Sequence, residues 1–371
     1  MIAELVQNNG RLCLPEAMRP VEGFYPHHFM SSDGDNLIEL AGRVCYDSTK
    51  LPKSRTSIEY HKHINETNHG SVQEHYVVTL TGNFNNDQSF GLMDINNALA
   101  NRPGTWVWVS SDGYFEIQAN IRAIREWFKW TDYAIHNAFF SDKLGHTFQY
   151  FAKQACHLAM DAVVGQQQLN LVACDSKLNP WYSYYIGGVS RGLTHELVRH
   201  KYMTAISQRS TRYVDESESE WAWHPLMLKH QNKILKDICE KESHLIEHRC
   251  DHENCNVLQE NIVWSRFRYK VIVDSLEEQL IAEGNDKFTA RKQARGAARG
   301  ILGNALSTEL IFTASLQQWK RIILMRCSNA ADAEIRMLCS QIFDDLVQRD
   351  IIKSFNIGSA SDSIGYHITS L

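Results

Sequence analysis

Residues 189–213 read VSRGLTHELVRHKYMTAISQRSTRY, and this stretch carries most of the information about fold and function. The segment before it, WYSYYIGGV at 181–189, is aromatic and β-branched and predicts a strand. Ser190 has the side chain of an N-cap residue, so a helix is predicted over 190–203. That helix is expected to end in a run of basic side chains, Arg199-His200-Lys201.

A polar segment, Ser207 to Tyr213, follows the predicted helix. It is expected to form a loop that presents two serines, a glutamine and two arginines. Guanidinium groups bind phosphate oxygens in pairs, while hydroxyl and backbone N–H groups donate to the remaining lone pairs. The segment therefore indicates a phosphate site. The alternative is a solvated basic helix end followed by an ordinary polar turn.

The rest of the chain predicts an α+β fold. Strand-like runs occur in VQEHYVVTLTGNF at 72–84 and ELIFTAS at 309–315. Helical periodicity covers 36–68 and a long stretch over 226–294 that breaks near HRCDHENC. Because strands and helices do not alternate as βαβ repeats, a doubly wound parallel sheet is not expected.

Composition excludes several classes of protein. The 371 residues are 43% hydrophobic and 22% charged, which is a globular composition rather than that of a disordered chain or a coiled-coil rod. A net charge of −5 argues against an overall basic surface that would bind nucleic acid or membranes. No apolar run approaches the roughly 18 residues of a membrane-spanning helix. The N-terminus does not resemble a signal peptide, and nine scattered cysteines suggest reduced thiols, so a cytoplasmic protein is expected.

Three arginines of the C-terminal third need partners. Arg326 lies in the apolar run RIILMRC, Arg336 in AEIRML and Arg299 in AARGIL. A guanidinium inside an apolar helix must meet an anion or a carboxylate. For Arg326, a bound anion competes with an internal ion pair to Glu334 or Asp332.

Five segments, taken in order, resemble the flavin-dependent thymidylate synthase family. They match its early A-A-R-V-S/C-Y helix, its H-x-S/T-x-F-E-H turn, its R-H-R triplet with a downstream serine, its A-R-x-x-L-P segment and its L-R-x-x-x-x-A-Q-x-E-I-R helix. In this chain the segments are Ala41–Tyr46, His69–His75, Val189–Tyr213, Arg299–Leu302 and Arg326–Arg336. Each match alone is weak, whereas five in order are specific.

The resemblance implies a fold with a central, mostly antiparallel sheet, flanking helices and a long insertion. It implies methylation of dUMP at C5 to give dTMP, with FAD bound, methylenetetrahydrofolate as carbon donor and NADPH as reductant. It also implies a homotetramer with active sites at subunit contacts. No cysteine nucleophile and no metal are expected, because reduced flavin supplies the chemistry.

The resemblance further implies roles for individual residues. Flavin contacts are expected from His69, Ser71, Arg199, His200 and Lys201. The nucleotide is expected to lie among Glu196, Gln208, Ser210, Arg212 and Arg299, with Arg212 and Arg299 on its phosphate. Arg326 is expected to face the uracil as the catalytic residue, where its charge would stabilise the pyrimidine as C5 becomes nucleophilic.

The sequence departs from the family pattern at several positions. Lys201 stands where the triplet has arginine, and the spacing from Arg199 to Ser210 is one residue longer. The family's N-x-R flavin motif falls on Ser315 and Gln317. These departures leave two alternatives open: methyl or hydroxymethyl transfer to another pyrimidine nucleotide, or an inactive relative that binds nucleotide or flavin.

The matched segments divide the chain into a discontinuous core over 1–84 and 181–350, an insertion over 85–180 and a tail over 351–371. Inside the insertion, Asn120-Ile121-Arg122 opens an amphipathic helix with the spacing of the family's flavin motif. One hypothesis is that the insertion binds the flavin in place of the side chains that Ser315 and Gln317 replace. The alternative is an ordinary surface helix.

Two further clusters have simple explanations. His244, His248, Cys250, His252 and Cys255 crowd one stretch, but their spacing matches no standard zinc pattern, so a polar loop is favoured over a metal site. The basic run 291–295, RKQAR, could attract the nucleotide or the folate glutamates, although a solvated helix face is the more usual structure for such a run.

Overall fold

The computed structural model describes residues 1–8, 11–12, 32–49, 56–83, 103–126, 156, 176–242, 257–353, 358–362 and 365–370. The described strands are β1 (Ile2–Asn8), β2 (Arg11–Leu12), β3 (Val77–Asn83), β4 (Thr105–Val109), β5 (Tyr114–Asn120), β6 (Trp181–Ser190), β7 (Thr204–Gln208), β8 (Ser307–Ser315), β9 (Gly358–Asp362) and β10 (Gly365–Ser370). The described helices are α1 (Asp33–Cys45), α2 (Ser57–Glu66), α3 (Arg191–Leu197), α4 (Pro225–Lys229), α5 (Gln231–Glu242), α6 (Val257–Ala282), α7 (Lys287–Ala298), α8 (Leu316–Arg326) and α9 (Ala333–Gln348), with short 3₁₀ helices at Gly70–His75 and Arg299–Ile301. None of the helices in these ranges is both long and apolar enough to cross a membrane.

The central sheet has five strands in the order β2-β1-β6-β8-β7, and every neighbouring pair is antiparallel. The α+β architecture predicted from the sequence is therefore confirmed. One sheet face packs on α8 and α9, where Trp319 lies with ring centroids 5.3 Å from Tyr184 and 5.1 Å from Phe312. The opposite face packs on α1 through the fully buried Ile311. Two apolar faces explain why β6 and β8 are buried almost throughout.

A second antiparallel sheet, in the order β3-β5-β4, joins the two parts of the sequence on either side of residues 84–102. Val77 of β3 pairs with Asn120 of β5, and the register continues to Asn83 opposite Tyr114. A helical segment, residues 121–126, follows β5 directly. β4 and β5 therefore extend a sheet that begins in the part of the chain before the predicted insertion.

The strands predicted at the VVTLT core of 72–84, at 181–189 and at 309–315 are confirmed as β3, β6 and β8, with boundary shifts of one or two residues. The helix predicted over 190–203 is wrong in length, since α3 ends at Leu197 with Val198 as its C-cap. The loop predicted over 207–213 is also partly wrong, because Ser207 and Gln208 belong to β7. The predicted break in the helical stretch near HRCDHENC lies outside the described residues.

The start of α3 is fixed by a buried carboxylate. Ser190 Oγ accepts a hydrogen bond from Leu193 N at 3.0 Å, as the N-cap pattern predicted. Glu334 of α9 accepts from Ser190 N at 2.8 Å and from Ser190 Oγ at 2.6 Å. Since both side chains are buried, water cannot replace these bonds if one partner is removed.

We expect Ser190→Ala to lower the free energy of unfolding by about 2–4 kcal/mol, because it removes a helix cap and leaves a buried Glu334 oxygen without its donor. Asp286→Ala is the control, since Asp286 caps α7 at an exposed site and its replacement should cost about 1 kcal/mol. Urea unfolding measures both. Equal losses of stability would contradict the role assigned to Glu334.

Candidate active site

Three residues predicted to bind ligands lie on α3 or contact it: Glu196, Gln208 and Arg326. Arg191 stands at its first position and Glu196 near its last, which places them about 8 Å apart along the axis. The first backbone N–H groups of α3 already donate to Leu306 O and Asn304 O, so side chains rather than the helix end supply the donors. Two groups of side chains result, one at each end of the helix.

The first group, the arginine cluster, contains Arg191, Arg212 and Arg299. Arg299 NH1 donates to Thr211 Oγ1 at 3.3 Å, and Thr211 directly precedes Arg212 in the sequence. A β-carbon added to Gly296, one turn before Arg299, would lie 3.8 Å from Arg212 Cγ. Burial lowers the pKa of Arg191, and the nearby Arg299 and Arg209 charges lower it further. The structure therefore brings Arg212 and Arg299 together, as expected.

The cluster is not neutralised by carboxylates. Among the described residues, Arg191, Arg212 and Arg299 form no ion pair, although Glu216 attracts Arg191 at longer range. Two other nearby arginines are paired with carboxylates. Arg209 pairs with Glu216 at 2.9 Å and Arg295 with Asp215 at 3.1 Å. Three guanidinium groups thus remain for an anion.

The basic run 291–295 is mostly committed to the protein itself. Arg291 pairs with Glu277 at 3.0 Å, Arg295 also donates to Tyr213 O, and Lys292 Nζ lies 5.0 Å from the centroid of the Tyr213 ring. These contacts favour a structural helix face over a separate anion site.

The second group, the Arg326 group, contains Arg326, Glu196 and His200. Arg326 NH1 contacts Glu196 Oε2 at 2.5 Å, and Arg326 Nε donates to His200 Nε2 at 2.9 Å. The expected alternative pairing of Arg326 with Glu334 or Asp332 is wrong. Glu334 binds Ser190, and Asp332 caps α9 by accepting from Glu334 N at 2.9 Å.

His200 must be neutral to accept from Arg326. Burial lowers the pKa of His200 to about 4, and the charges of Arg326, Arg321 and Arg199 act in the same direction. The imidazole therefore serves as a fixed acceptor that orients the guanidinium at neutral pH. Arg326 is 16% exposed, so its position is set by these two partners.

Gln208 and Ser210 lie between the two groups. Gln208 Nε2 donates to Thr194 Oγ1 of α3 at 3.1 Å and to Thr308 Oγ1 of β8 at 3.2 Å. Ser210 N donates to Cys45 O at 2.9 Å, which attaches the segment after β7 to the end of α1. Gln208 therefore contacts α3 directly, whereas Ser210 contacts the end of α1.

The turn at His69–Ser71 joins this site through Tyr46. Tyr46 OH and His69 Nδ1 lie 3.4 Å apart, and the Tyr46 ring is 4.9 Å from that of Tyr213. The Gly70–His75 3₁₀ helix packs directly on β7. Burial lowers the pKa of His69, with a smaller effect from His63, so a neutral ring is favoured here.

Arg199 and Lys201 lie beyond the end of α3 rather than within it. Both side chains are exposed, and neither forms an ion pair within the described ranges. They remain available to an anionic group that approaches this side of the site.

No metal centre is found in the described parts of the chain, and the thiols of Cys45 and Cys327 are buried. Burial raises the pKa of Cys45, at the end of α1, to about 11, which makes its thiol a poor nucleophile. No group of three or more histidine, cysteine or acidic side chains there could hold a metal ion. The stretch with His244, His248, Cys250, His252 and Cys255 lies outside those ranges.

Comparison with known proteins identifies the family. The family model described as thymidylate synthase complementing protein matches residues 180–350. The flavin-dependent thymidylate synthase of Mycobacteroides abscessus is 32% identical over 192 residues, which cover 51% of this chain and 67% of that protein. This chain belongs to the flavin-dependent thymidylate synthase family.

Other relatives match over part of their length. The flavin-dependent thymidylate synthase of Mycolicibacterium gilvum is 33% identical over 182 residues, 48% of this chain and 64% of that protein. A crystal structure of thymidylate synthase X from Helicobacter pylori with FAD and dUMP aligns with a TM-score of 0.25 and 22% identity, over 44% of this chain and 66% of that one.

Two residues of the site were not predicted from the sequence. Arg191 follows the N-cap serine and was not distinguished from an ordinary helix residue. Tyr46 contacts both His69 and Tyr213, which no local pattern indicates. The signal for Arg191 was its position immediately after a strand that enters the site.

We expect His200→Gln to reduce the loss of unfolding free energy that occurs as the pH falls below neutrality. The folded-state pKa of His200 lies below its ordinary value near 6.5, so the unfolded chain binds a proton that the folded chain does not between about pH 6.5 and 4. Stability attributable to His200 is thus present above pH 6.5 and is lost as the pH falls to about 4.

Glutamine keeps an acceptor for Arg326 without titrating. Urea unfolding between pH 8 and pH 4.5 measures the difference. The gap between the two proteins should be constant above pH 7 and should change below it. Curves that stay parallel over the whole range would contradict a buried, neutral His200.

Proposed function

We propose that this protein methylates dUMP at C5 to give dTMP, with FAD as bound cofactor, methylenetetrahydrofolate as carbon donor and NADPH as reductant. The observation that carries the proposal is the pair of groups at the two ends of α3. Three guanidinium groups without ion-pair partners in the described chain suit a phosphate, and a fixed guanidinium beside a carboxylate suits the polar edge of a pyrimidine.

Arg212 and Arg299 are proposed to hold the nucleotide phosphate, with Arg191 as a third donor. Thr211 Oγ1 already orients Arg299, and Gly296 leaves room for Arg212 beside α7. Ser210 lies two residues before Arg212 and can donate its hydroxyl to the same phosphate. The net charge of the chain is negative, so this local positive field is a specific feature of the site.

Arg326 is proposed as the catalytic residue. Its guanidinium would stabilise negative charge on the pyrimidine as C5 becomes nucleophilic. Glu196 and His200 hold the group in one orientation before the substrate binds, so little reorganisation is needed when charge develops. Glu196 Oε2 also offers an acceptor to an N–H on the edge of the base.

The residues present fit FAD. Arg199 and Lys201 are exposed cations without carboxylate partners among the described residues, as a pyrophosphate group requires. His200, His69 and Ser71 are proposed to line the flavin ring, with His69 oriented by Tyr46. When bound, FAD would supply the electron transfer that converts the donated carbon into a methyl group.

We also propose a homotetramer in the cytoplasm, with a core over 1–84 and 181–350, an insertion over 85–180 and a tail over 351–371. Three described cysteines support a reducing compartment, since Cys45, Cys327 and Cys339 form no disulfide. Size-exclusion chromatography with light scattering tests the assembly.

The activity is tested with purified protein, FAD, methylenetetrahydrofolate and NADPH. We expect dUMP to gain the mass of one methyl group in place of hydrogen, while UMP and dCMP stay unchanged. A product carrying hydroxymethyl, or conversion of another pyrimidine, would establish the related transferase instead. Uptake of FAD or nucleotide without any product would establish an inactive relative.

We expect Arg299→Ala to raise the KM for dUMP about 10- to 100-fold, because a charge-assisted hydrogen bond contributes about 1.5–3 kcal/mol. Arg291→Ala is the matched control, since Arg291 lies on the adjoining helix α7 but is paired with Glu277. Its KM should stay within twofold of the original. Equal effects of the two substitutions would contradict a specific phosphate site at Arg299.

A further inference from the structure

Two arginines from the predicted insertion contact the turn that carries His69 and Ser71. They are Arg122 and Arg125, one helical turn apart in the segment 121–126 that follows β5. Ile121 N also donates to Tyr76 O at 3.1 Å, so this segment starts beside the end of the 3₁₀ helix Gly70–His75. Both guanidinium groups contact side chains of that short helix.

Arg122 holds the beginning and the end of the 3₁₀ helix. Arg122 NH1 contacts Glu74 Oε1 at 2.5 Å. A β-carbon at Gly70 would lie 3.1 Å from Arg122 Nε and 3.2 Å from its Cδ, so the arginine side chain lies flat against the bare Cα of Gly70. Gly70 is the residue between His69 and Ser71, and any larger side chain there would displace Arg122.

Arg125 holds the middle of the same helix. Arg125 NH1 donates to Gln73 Oε1 at 2.8 Å and to Asn65 Oδ1 at 2.6 Å. Gln73 Nε2 also donates to Asn65 Oδ1 at 2.9 Å, which ties the 3₁₀ helix to the end of α2. Gln73 is buried, so this three-residue contact fixes the rotation of the turn as well as its distance from α2.

Asn120 has a different task. Its Oδ1 accepts from Ala123 N at 2.7 Å, and a β-carbon at Gly104 would lie 2.5 Å from its Nδ2. The amide oxygen therefore caps the helical segment, and the backbone of Gly104 lies close to the amide nitrogen. Asn120 sets the start of the segment from which Arg122 and Arg125 project.

We propose that Arg122 and Arg125 are positioning residues for flavin binding, acting through the turn at His69–Ser71. This inference rests on the proposed function. In the same turn, the ring of His69 packs edge-on against Tyr46 and lies within hydrogen-bond distance of its hydroxyl. Without the two arginines, part of the binding energy of FAD would be spent on ordering the turn.

The test uses the full chain and titrates FAD while following the quenching of flavin fluorescence. We expect Arg122→Ala with Arg125→Ala to raise the Kd for FAD about tenfold, while the Kd for dUMP measured without FAD stays within twofold. Arg349→Ala is the matched control. Its side chain is 45% exposed and pairs with Asp345 at 2.9 Å on α9, whereas Arg122 is 42% exposed.

A double-mutant cycle separates positioning from general destabilisation. Arg122→Ala and Glu74→Gln should each raise the Kd for FAD about threefold, and the two together should raise it about threefold rather than ninefold. If the double arginine variant does not fold, the singly substituted Arg122→Ala decides the question, since its side chain is partly exposed.

Several results overturn the inference. The inference is overturned if the double arginine variant binds FAD with an affinity within twofold of that of the original protein. It is also overturned if the affinities for FAD and dUMP fall together and the Tm is lower. Additive effects of Arg122→Ala and Glu74→Gln also overturn it. If the unsubstituted protein takes up no FAD at all, the proposed function itself is wrong. This result distinguishes a failure of the proposed function from a failure of the inference about Arg122 and Arg125.

Discussion

The buried contact between Glu334 and Ser190 determines where the ligand-binding side chains stand. It fixes the first turn of α3 against α9, and α3 in turn carries Arg191 at one end and Glu196 at the other. A buried carboxylate is costly unless its oxygens are satisfied, and both oxygens of Glu334 receive a donor from Ser190. Any rotation of α3 would break these bonds. The contact between Glu334 and Ser190 therefore fixes the spacing between the arginine cluster and the Arg326 group.

The arginine cluster has no carboxylate partners in the described chain, whereas Arg326 is paired with one, and this difference suits the two ends of a nucleotide. The arginine cluster keeps its positive charge uncompensated by ion pairs, at a cost in stability that an anion would relieve. Arg326, by contrast, is compensated by Glu196 and oriented by a neutral imidazole. A phosphate carries a full charge before the reaction starts, whereas a pyrimidine gains charge only as the reaction proceeds.

Local sequence patterns predicted three strands and the site residues Arg212, Arg299 and Arg326, but not Arg191 and not how the chain turns or pairs between them. β3, β6 and β8 are apolar or β-branched runs buried on the sheet, so propensity and burial agree. The end of α3 has no glycine or proline signal, and the chain turns at Met203, which has a positive φ of 51° and a buried side chain. Arg326 likewise pairs with Glu196, 130 positions away, because α3 and α8 approach each other only once β6 and β8 are paired. The need of a guanidinium for a partner was predictable from the residue, while the partner itself depended on sheet topology.

The segment around β5 changes how the predicted insertion is understood. Gln118 of β5 donates through Nε2 to Asn179 O at 3.0 Å. Asn179 Oδ1 in turn accepts from Gln317 N at 3.2 Å, at one of the two positions that depart from the family's flavin motif. Ser315, the other position, is a buried N-cap of α8. The predicted insertion thus contacts the start of α8 through Gln118 and Asn179. It contacts the turn at His69–Ser71 through Arg122 and Arg125. A peripheral addition would need none of these contacts, so the insertion is built into the part of the fold on which the proposed flavin site depends.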